Sequence, residues 1–150
     1  MRVVIQRVSQ SNVEVSGEVI GEIKTGVMVL VSFDDEDTDI DLEWMSKKII
    51  NLRIFNDDEG KMNRSLQDVS GDILLISQFT LHGSTKKGNR PSFIKAAKPD
   101  YAKMMYENFI EVLEKYFGKE IETGEFGGDM KVSLINDGPA TIIIDSKNKE

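Results

Sequence analysis

A chain of 150 residues with a net charge of −7 suits one domain with its own core, and its acidity argues against broad non-specific attachment to nucleic acid, which needs a basic face. It has no cysteine, so disulfides and thiolate metal sites are excluded, in keeping with a reducing compartment. The start, Met1-Arg2-Val3-Val4-Ile5-Gln6-Arg7, sets charges inside its apolar stretch and lacks a small-residue cleavage signal. Neither a signal peptide nor a membrane span is expected there, and a soluble cytoplasmic protein is the expectation.

In chain order, Val3 to Val8 reads as a first strand, interrupted by Gln6 and Arg7. Asn12–Val15 and Glu18–Ile23 alternate apolar with polar around Ser16-Gly17, the signature of a hairpin with one buried face. Val27–Val31 is apolar throughout and should be a central strand. Residues 34–43 hold seven acids and no base. They read as the entry to a helix capped by Asp37 or Thr38 and running to about Asn51, with Leu42, Met45, Ile49 and Leu52 as its stripe. A calcium loop is rejected, because the glycine and the ligand spacing are missing.

Two short strands, Leu52–Phe55 and Lys61–Asn63, flank a turn at Asn56–Gly60. Ile73-Leu74-Leu75-Ile76 reads as a strand buried on both faces, expected to continue to Leu81. Gly83 to Pro99 is irregular, and loops of that length in compact domains are usually functional or disordered. The stretch from Lys86 to Lys103 holds six bases and one acid, Asp100, which suits a partner touching one edge or simply a solvated loop. Asp100 is expected to cap a second helix with Tyr101, Met105, Phe109, Val112 and Tyr116 as its stripe and Gly118 as its stop. Strands at Lys131–Leu134 and Ala140–Ile144, split by Asn136-Asp137-Gly138-Pro139, and a frayed tail at 146–150 complete the chain.

The pattern predicts an α+β fold: a β-rich, barrel-like domain over 1–150 with about eight short strands, two outer helices, many hairpins and no βαβ rhythm. Leftover sheet edges would invite a second subunit, so a symmetric homodimer is expected.

The inventory of catalytic groups is thin. Ser77-Gln78-Phe79-Thr80-Leu81 puts polar groups on a buried strand, where they must be hydrogen-bonded or face a pocket. They are either the floor of a binding site or ordinary strand residues bonded to backbone. His82, the single histidine, would share a strand face with Thr80, or lie at the surface. Nothing has the spacing of a metal cluster or a phosphate loop. Gly138-Pro139 is either an ordinary turn or a cis bond holding its carbonyls in an uncommon direction.

Taken together, Ser77-Gln78-Phe79-Thr80-Leu81 and Asn136-Asp137-Gly138-Pro139-Ala140-Thr141 resemble the two signature motifs of the D-aminoacyl-tRNA deacylases. Met1-Arg2 with Ile5–Val8, Asn51–Phe55, Gly60–Asn63, Lys87-Gly88 with Arg90–Phe93, and Glu122-Thr123-Gly124 with Phe126-Gly127 and Asp129-Met130 fit in order along nearly the whole chain. The resemblance implies a homodimeric, metal-free, cofactor-free hydrolase of the ester in D-aminoacyl-tRNA and in mischarged glycyl-tRNA. It implies that Ser77, Gln78, Phe79 and Thr80 line the pocket, and that Gly138-Pro139, in cis, enters from the partner subunit to exclude L side chains. Gln78, Phe79 and Thr80 would be the catalytic group, with backbone N–H donors near Phe79 and Thr80. Phe126 and Met130 would wall the pocket, while Lys86, Lys87 and Arg90 would hold the tRNA end. The sequence His82-Gly83-Ser84-Thr85 departs from the family's usual wording. Two other readings stand beside this one: a Thr- or His-dependent hydrolase of small esters or peptides, and a non-enzymatic module binding RNA ends or small ligands.

Overall fold

The computed structural model describes residues 1–150. In chain order it has β1 (Arg2–Val15), β2 (Glu18–Ile23), β3 (Gly26–Ser32), α1 (Asp39–Asn51), β4 (Phe55–Asn56), β5 (Met62–Arg64), β6 (Asp72–Ser77), a 3-10 turn (Phe79–His82), α2 (Pro99–Phe117), β7 (Glu122–Thr123) and β8 (Met130–Asp145). One edge of β1 pairs with β8 along its whole length, and the other pairs with β3 and then with β2, all antiparallel. The sheet continues β3–β6–β7 in parallel. It curls until a β-carbon on Gly21 of β2 would sit 2.9 Å from the Thr123 carbonyl of β7. The result is a barrel-like sheet with two helices.

The two faces of β6 explain its unbroken apolar run. Ile73 and Leu75 belong to a core of 23 buried residues under the helices, with Met45, Ile49, Met105 and Phe109. Leu74 and Ile76 face a core of 6 inside the curl, with Val8, Val13, Ile23 and Met28. A strand buried on both sides has no polar face to show, so its sequence does not alternate.

Several expectations need correcting. The strand expected over 72–81 ends at Ser77, and Phe79–His82 is a 3-10 turn. The two strands expected around Asn136–Pro139 are one, β8 of 16 residues, and β1 has 14; the strands are not uniformly short. A βαβ rhythm is present after all, since β3 reaches β6 by way of α1, and β6 reaches β7 by way of α2, both in parallel. Of the strand expected over Leu52–Phe55, only Phe55 pairs, together with Asn56. Pro99 occupies the first turn of α2, where its missing N–H costs nothing, so Lys98 rather than Asp100 takes the cap position. The stripe of α2 is buried chiefly through Ala102, Met105, Tyr106, Phe109, Leu113 and Phe117, with Tyr101, Val112 and Tyr116 at its margin.

The tail is not frayed at its start. Ser146 is buried, donates its N–H to the Met1 carbonyl at 2.9 Å, and accepts from the Met1 ammonium at 2.9 Å. That ammonium also pairs with Asp37. Lys147 donates to Asp41 at 2.9 Å, and Asp41 in turn closes the capping box of α1 with Thr38. Two acids of the run, Asp37 and Asp41, are thus consumed internally as counter-ion and helix cap, while Asp35, Glu36, Asp39 and Glu43 stay exposed.

This arrangement has a pH signature. Burial alone would raise the Asp41 pKa, but hydrogen bonds from Lys147, Ser146 and the Thr38 backbone outweigh it and lower it from 3.8 to about 2. A depressed carboxylate stabilises the fold above its unfolded pKa and loses that contribution as pH falls through the folded one. The stability lost between roughly pH 4 and pH 2 is on the order of 2 kcal/mol from this group. Urea midpoints measured across that window should fall less steeply in Asp41→Asn than in the parent chain.

Candidate active site

β6 carries Ser77 to the end of the sheet, where the Gln78 N–H makes one more ladder bond, to Val31 O at 2.7 Å. The chain then tightens into the 3-10 turn, held by Leu81 N–H to Gln78 O (3.2 Å) and Gly83 N–H to Thr80 O (2.9 Å). The N–H groups of Phe79 and Thr80 open that turn, so no carbonyl within it can accept them. Ser77 and Gln78 are half-buried; Phe79 is 58% exposed and Thr80 is exposed. The Gln78 amide donates to Thr80 Oγ1 at 2.5 Å.

Beside the turn lies a cavity of about 770 Å³, whose lining includes Ser77, Gln78, Phe79, Phe126 and Met130. Its walls are mainly apolar, as expected of small-ligand pockets. Phe93 closes one side and meets Phe79 edge to face, with ring centroids 5.2 Å apart. Phe126 is backed by Tyr106 at 5.7 Å, whose hydroxyl donates to Leu75 O at 3.0 Å. The Phe126 wall is therefore tied to β6 itself.

The remaining candidates lie elsewhere. Lys86, Lys87 and Arg90 are exposed on a loop whose ends are pinned by paired bonds between Ser84 and Ser92 (2.8 and 2.9 Å). The loop leads directly to Phe93, and its cations do not line the cavity. Gly138-Pro139 is a cis bond, exposed where the β1–β8 ladder breaks between Gln6–Thr141 and Val8–Asn136. Ser77 pairs with Val31, Val31 with Val3 and Val3 with Ile144, whereas Gly138 lies opposite Arg7. Three strand spacings and four residues along β1 separate the two motifs, roughly 20 Å within one chain.

His82 is neither at the surface nor beside Thr80. It is 6% exposed, with Nδ1 2.6 Å from Ser32 Oγ and Nε2 3.8 Å from Asp34. The 3-10 turn, in place of the expected extended strand, rotates it inward. Burial, followed by the Arg2 cation and the N-terminal ammonium, holds its pKa below the usual 6.5, so the ring is neutral at pH 7.

A family profile described as D-Tyr-tRNA(Tyr) deacylase matches residues 4–145. The chain belongs to the D-Tyr-tRNA(Tyr) deacylase family. It is similar to a protein of Flavobacterium johnsoniae named D-aminoacyl-tRNA deacylase, with 62% identity over 150 residues and 100% of both chains covered. A protein of the same name from Bacteroides fragilis is 57% identical over 150 residues, again with 100% of both covered. A solved structure described as c-Myc DNA Unwinding Element Binding Protein has a TM-score of 0.92 at 42% identity, covering 97% of this chain and 98% of that one. A probable eukaryotic D-amino acid tRNA deacylase shares the fold, with a TM-score of 0.83 at 22% identity over 95% of this chain and 97% of its own.

Within this family member, three further residues, given no individual role from sequence, support the site. Arg7 is 7% exposed and donates to Asp137 O at 2.8 Å and Ile54 O at 2.6 Å, pinning the strand segment that precedes Gly138. Its signal was present, since a charge in an apolar strand must find partners once buried. Ser32 and Phe93 gave no such signal: Ser32 is a small polar residue at the end of β3 that the pairing with β6 brings to the cavity, and Phe93 reaches it only through the loop that follows β6.

Proposed function

We propose that the chain carries out D-aminoacyl-tRNA deacylation, hydrolysing the ester between a D-amino acid and the tRNA 3′ adenosine. The observation that carries this reading is an apolar cavity ending at the exposed Phe79–Thr80 turn, with two N–H groups free of the turn's own bonds. Those N–H groups receive the ester oxygen as negative charge develops on it, which is the oxyanion role. An aminoacyl ester is activated, and the ribose hydroxyl beside the scissile bond assists attack by water. Positioning then accounts for most of what the protein must supply.

Thr80 fits poorly as a covalent nucleophile. Its oxygen receives the Gln78 amide, and the one histidine is turned toward Ser32, so no base reaches it. Gln78 and Thr80 shape the turn, Ser77 and Phe79 form its floor, and Phe126 and Met130 wall the substrate.

Chirality is selected across a homodimer in this reading. Gly138-Pro139 is exposed and roughly 20 Å from Ser77 in its own chain, so it acts on the site of a second subunit, where its carbonyls exclude an L side chain and meet the α-amino group. Glycyl-tRNA, having no side chain to exclude, would also be accepted. The outer edge of β8, with Ile135 and Ile143 exposed, is an unpaired strand of the kind that invites a partner. Lys86, Lys87 and Arg90 contact the tRNA end, so affinity should weaken as salt rises. The compartment is that of translation, the cytoplasm.

The mechanism is tested by Thr80→Ala assayed on D-tyrosyl-tRNA under single-turnover conditions. Activity within about tenfold of the parent is expected from positioning alone, whereas a loss of a thousandfold or more would make Thr80 the nucleophile.

A further inference from the structure

We propose that His82 and Ser32 are positioning residues of the site, joined in a hydrogen-bond relay that ends on the peptide unit between Phe79 and Thr80. His82 Nδ1 lies 2.6 Å from Ser32 Oγ, and the same hydroxyl lies 3.3 Å from the Phe79 carbonyl oxygen. A carbonyl accepts and never donates, so the hydroxyl proton goes to Phe79 O. The imidazole must then supply its own proton from Nδ1 to the hydroxyl oxygen. Of the two neutral tautomers of the ring, that one satisfies both contacts. Nε2 is left 3.8 Å from Asp34, beyond hydrogen-bond reach.

The relay is sheltered, since Ser32 is 2% exposed and His82 6%. Water cannot readily replace a missing member, so removing one leaves a buried polar group unpaired. Arg2 braces the same turn from β1 by donating to Leu81 O at 2.7 Å. Ser32 and His82 therefore fix the Phe79 end, and Arg2 fixes Leu81, two residues on.

The consequence for chemistry lies in the peptide bond itself. Phe79 C=O and Thr80 N–H are the two ends of one planar, conjugated unit. A hydrogen bond accepted at the oxygen draws electron density from the nitrogen and makes the N–H a stronger donor, and successive bonds polarise one another by roughly 10–30% each. His82, Ser32 and Phe79 O thus form a chain aimed at the Thr80 N–H from behind. This deepens the proposed function and rests on its reading of Thr80 N–H as an oxyanion donor.

The test combines a spectrum with kinetics. His82 is the single histidine, so the nitrogen-15 signals of its imidazole need no assignment. The relay requires the Nδ1–H tautomer at neutral pH; an Nε2–H tautomer would overturn it, because the Ser32 proton would then be drawn to the ring. On D-tyrosyl-tRNA, Ser32→Ala should lower kcat about tenfold or more with KM within about twofold. His82→Asn, which places an amide N–H near the Nδ1 position, should keep most of the activity, and His82→Phe should match Ser32→Ala. Full kcat in Ser32→Ala, with a melting curve like the parent's, would overturn the relay. An unmodified chain inert on this substrate would instead fail the functional reading, and the imidazole spectrum would still decide the relay.

Discussion

Arg7→Ala should lower the unfolding free energy by about 2–4 kcal/mol and remove most deacylation, a loss larger than the fall in folded fraction explains. The guanidinium is buried and bridges two backbone carbonyls from different parts of the chain, Asp137 just before Gly138 and Ile54 just before β4. Truncation leaves the Ile54 carbonyl buried without this donor and opens a void beneath the ladder break of β8. Gly138 sits directly on Arg7: a β-carbon at that position would collide with the guanidinium. The side chain therefore sets where the Gly138-Pro139 segment stands. Arg7→Lys should recover only part of the loss, since an ammonium cannot span both carbonyls as a planar fork does. Urea unfolding and single-turnover deacylation measured on the same preparations check both halves. Stability within about 0.5 kcal/mol of the parent, the range of an inconsequential surface substitution, together with full activity would remove Arg7 from the site's framework.

The second large effect is expected far from the cavity, at Gly26→Ala. Gly26 opens the parallel ladder with β6, opposite Asp72. A β-carbon there would overlap the Asp72 carbonyl oxygen and approach its nitrogen to 2.7 Å. Both are backbone atoms of a central strand, so no side chain can swing aside to make room. The strands must separate at the start of the ladder that delivers Ser77 to the site. The expected cost exceeds about 4 kcal/mol, at the top of the range for single substitutions. Thermal unfolding should fall by at least about 10 °C for a chain of this length. A melting point within 2 °C of the parent, about the shift of a minor substitution, would mean that β3 and β6 do not approach as described.

Much of this was legible before any coordinates. The hairpin around Ser16-Gly17, the cap at Thr38, the stop at Gly118 and the two-sided burial of Ile73–Ile76 each follow from local chemistry, and each is found where the residues point. The misses arise where long-range pairing overrides a local signal. Gly138-Pro139 has turn chemistry, yet β1 pairs on both sides of it, so β8 runs through with a break. The two parallel pairings were invisible because their crossovers carry extra elements, the β4–β5 hairpin and the long 83–98 loop. His82 could not be placed by counting along a strand that had already turned.

For the site, the residue types were readable and their distribution was not. Ser77, Gln78, Phe79, Phe126 and Met130 share one cavity, while Gly138-Pro139 stands on another part of the same chain. A sequence records both motifs but not the distance between them, and that distance is why a second subunit enters the proposal.

The claim at the centre is selection by chirality, and it is met most directly by presenting the purified chain with D-tyrosyl-tRNA and L-tyrosyl-tRNA in parallel. Exclusion of the L side chain by a steric clash implies a D rate at least about a hundredfold above the L rate, a difference of roughly 2.7 kcal/mol in the barrier. Equal release of tyrosine from the two substrates would contradict it and leave a hydrolase of small esters, and no release from either would leave a module that binds the tRNA end without turning it over.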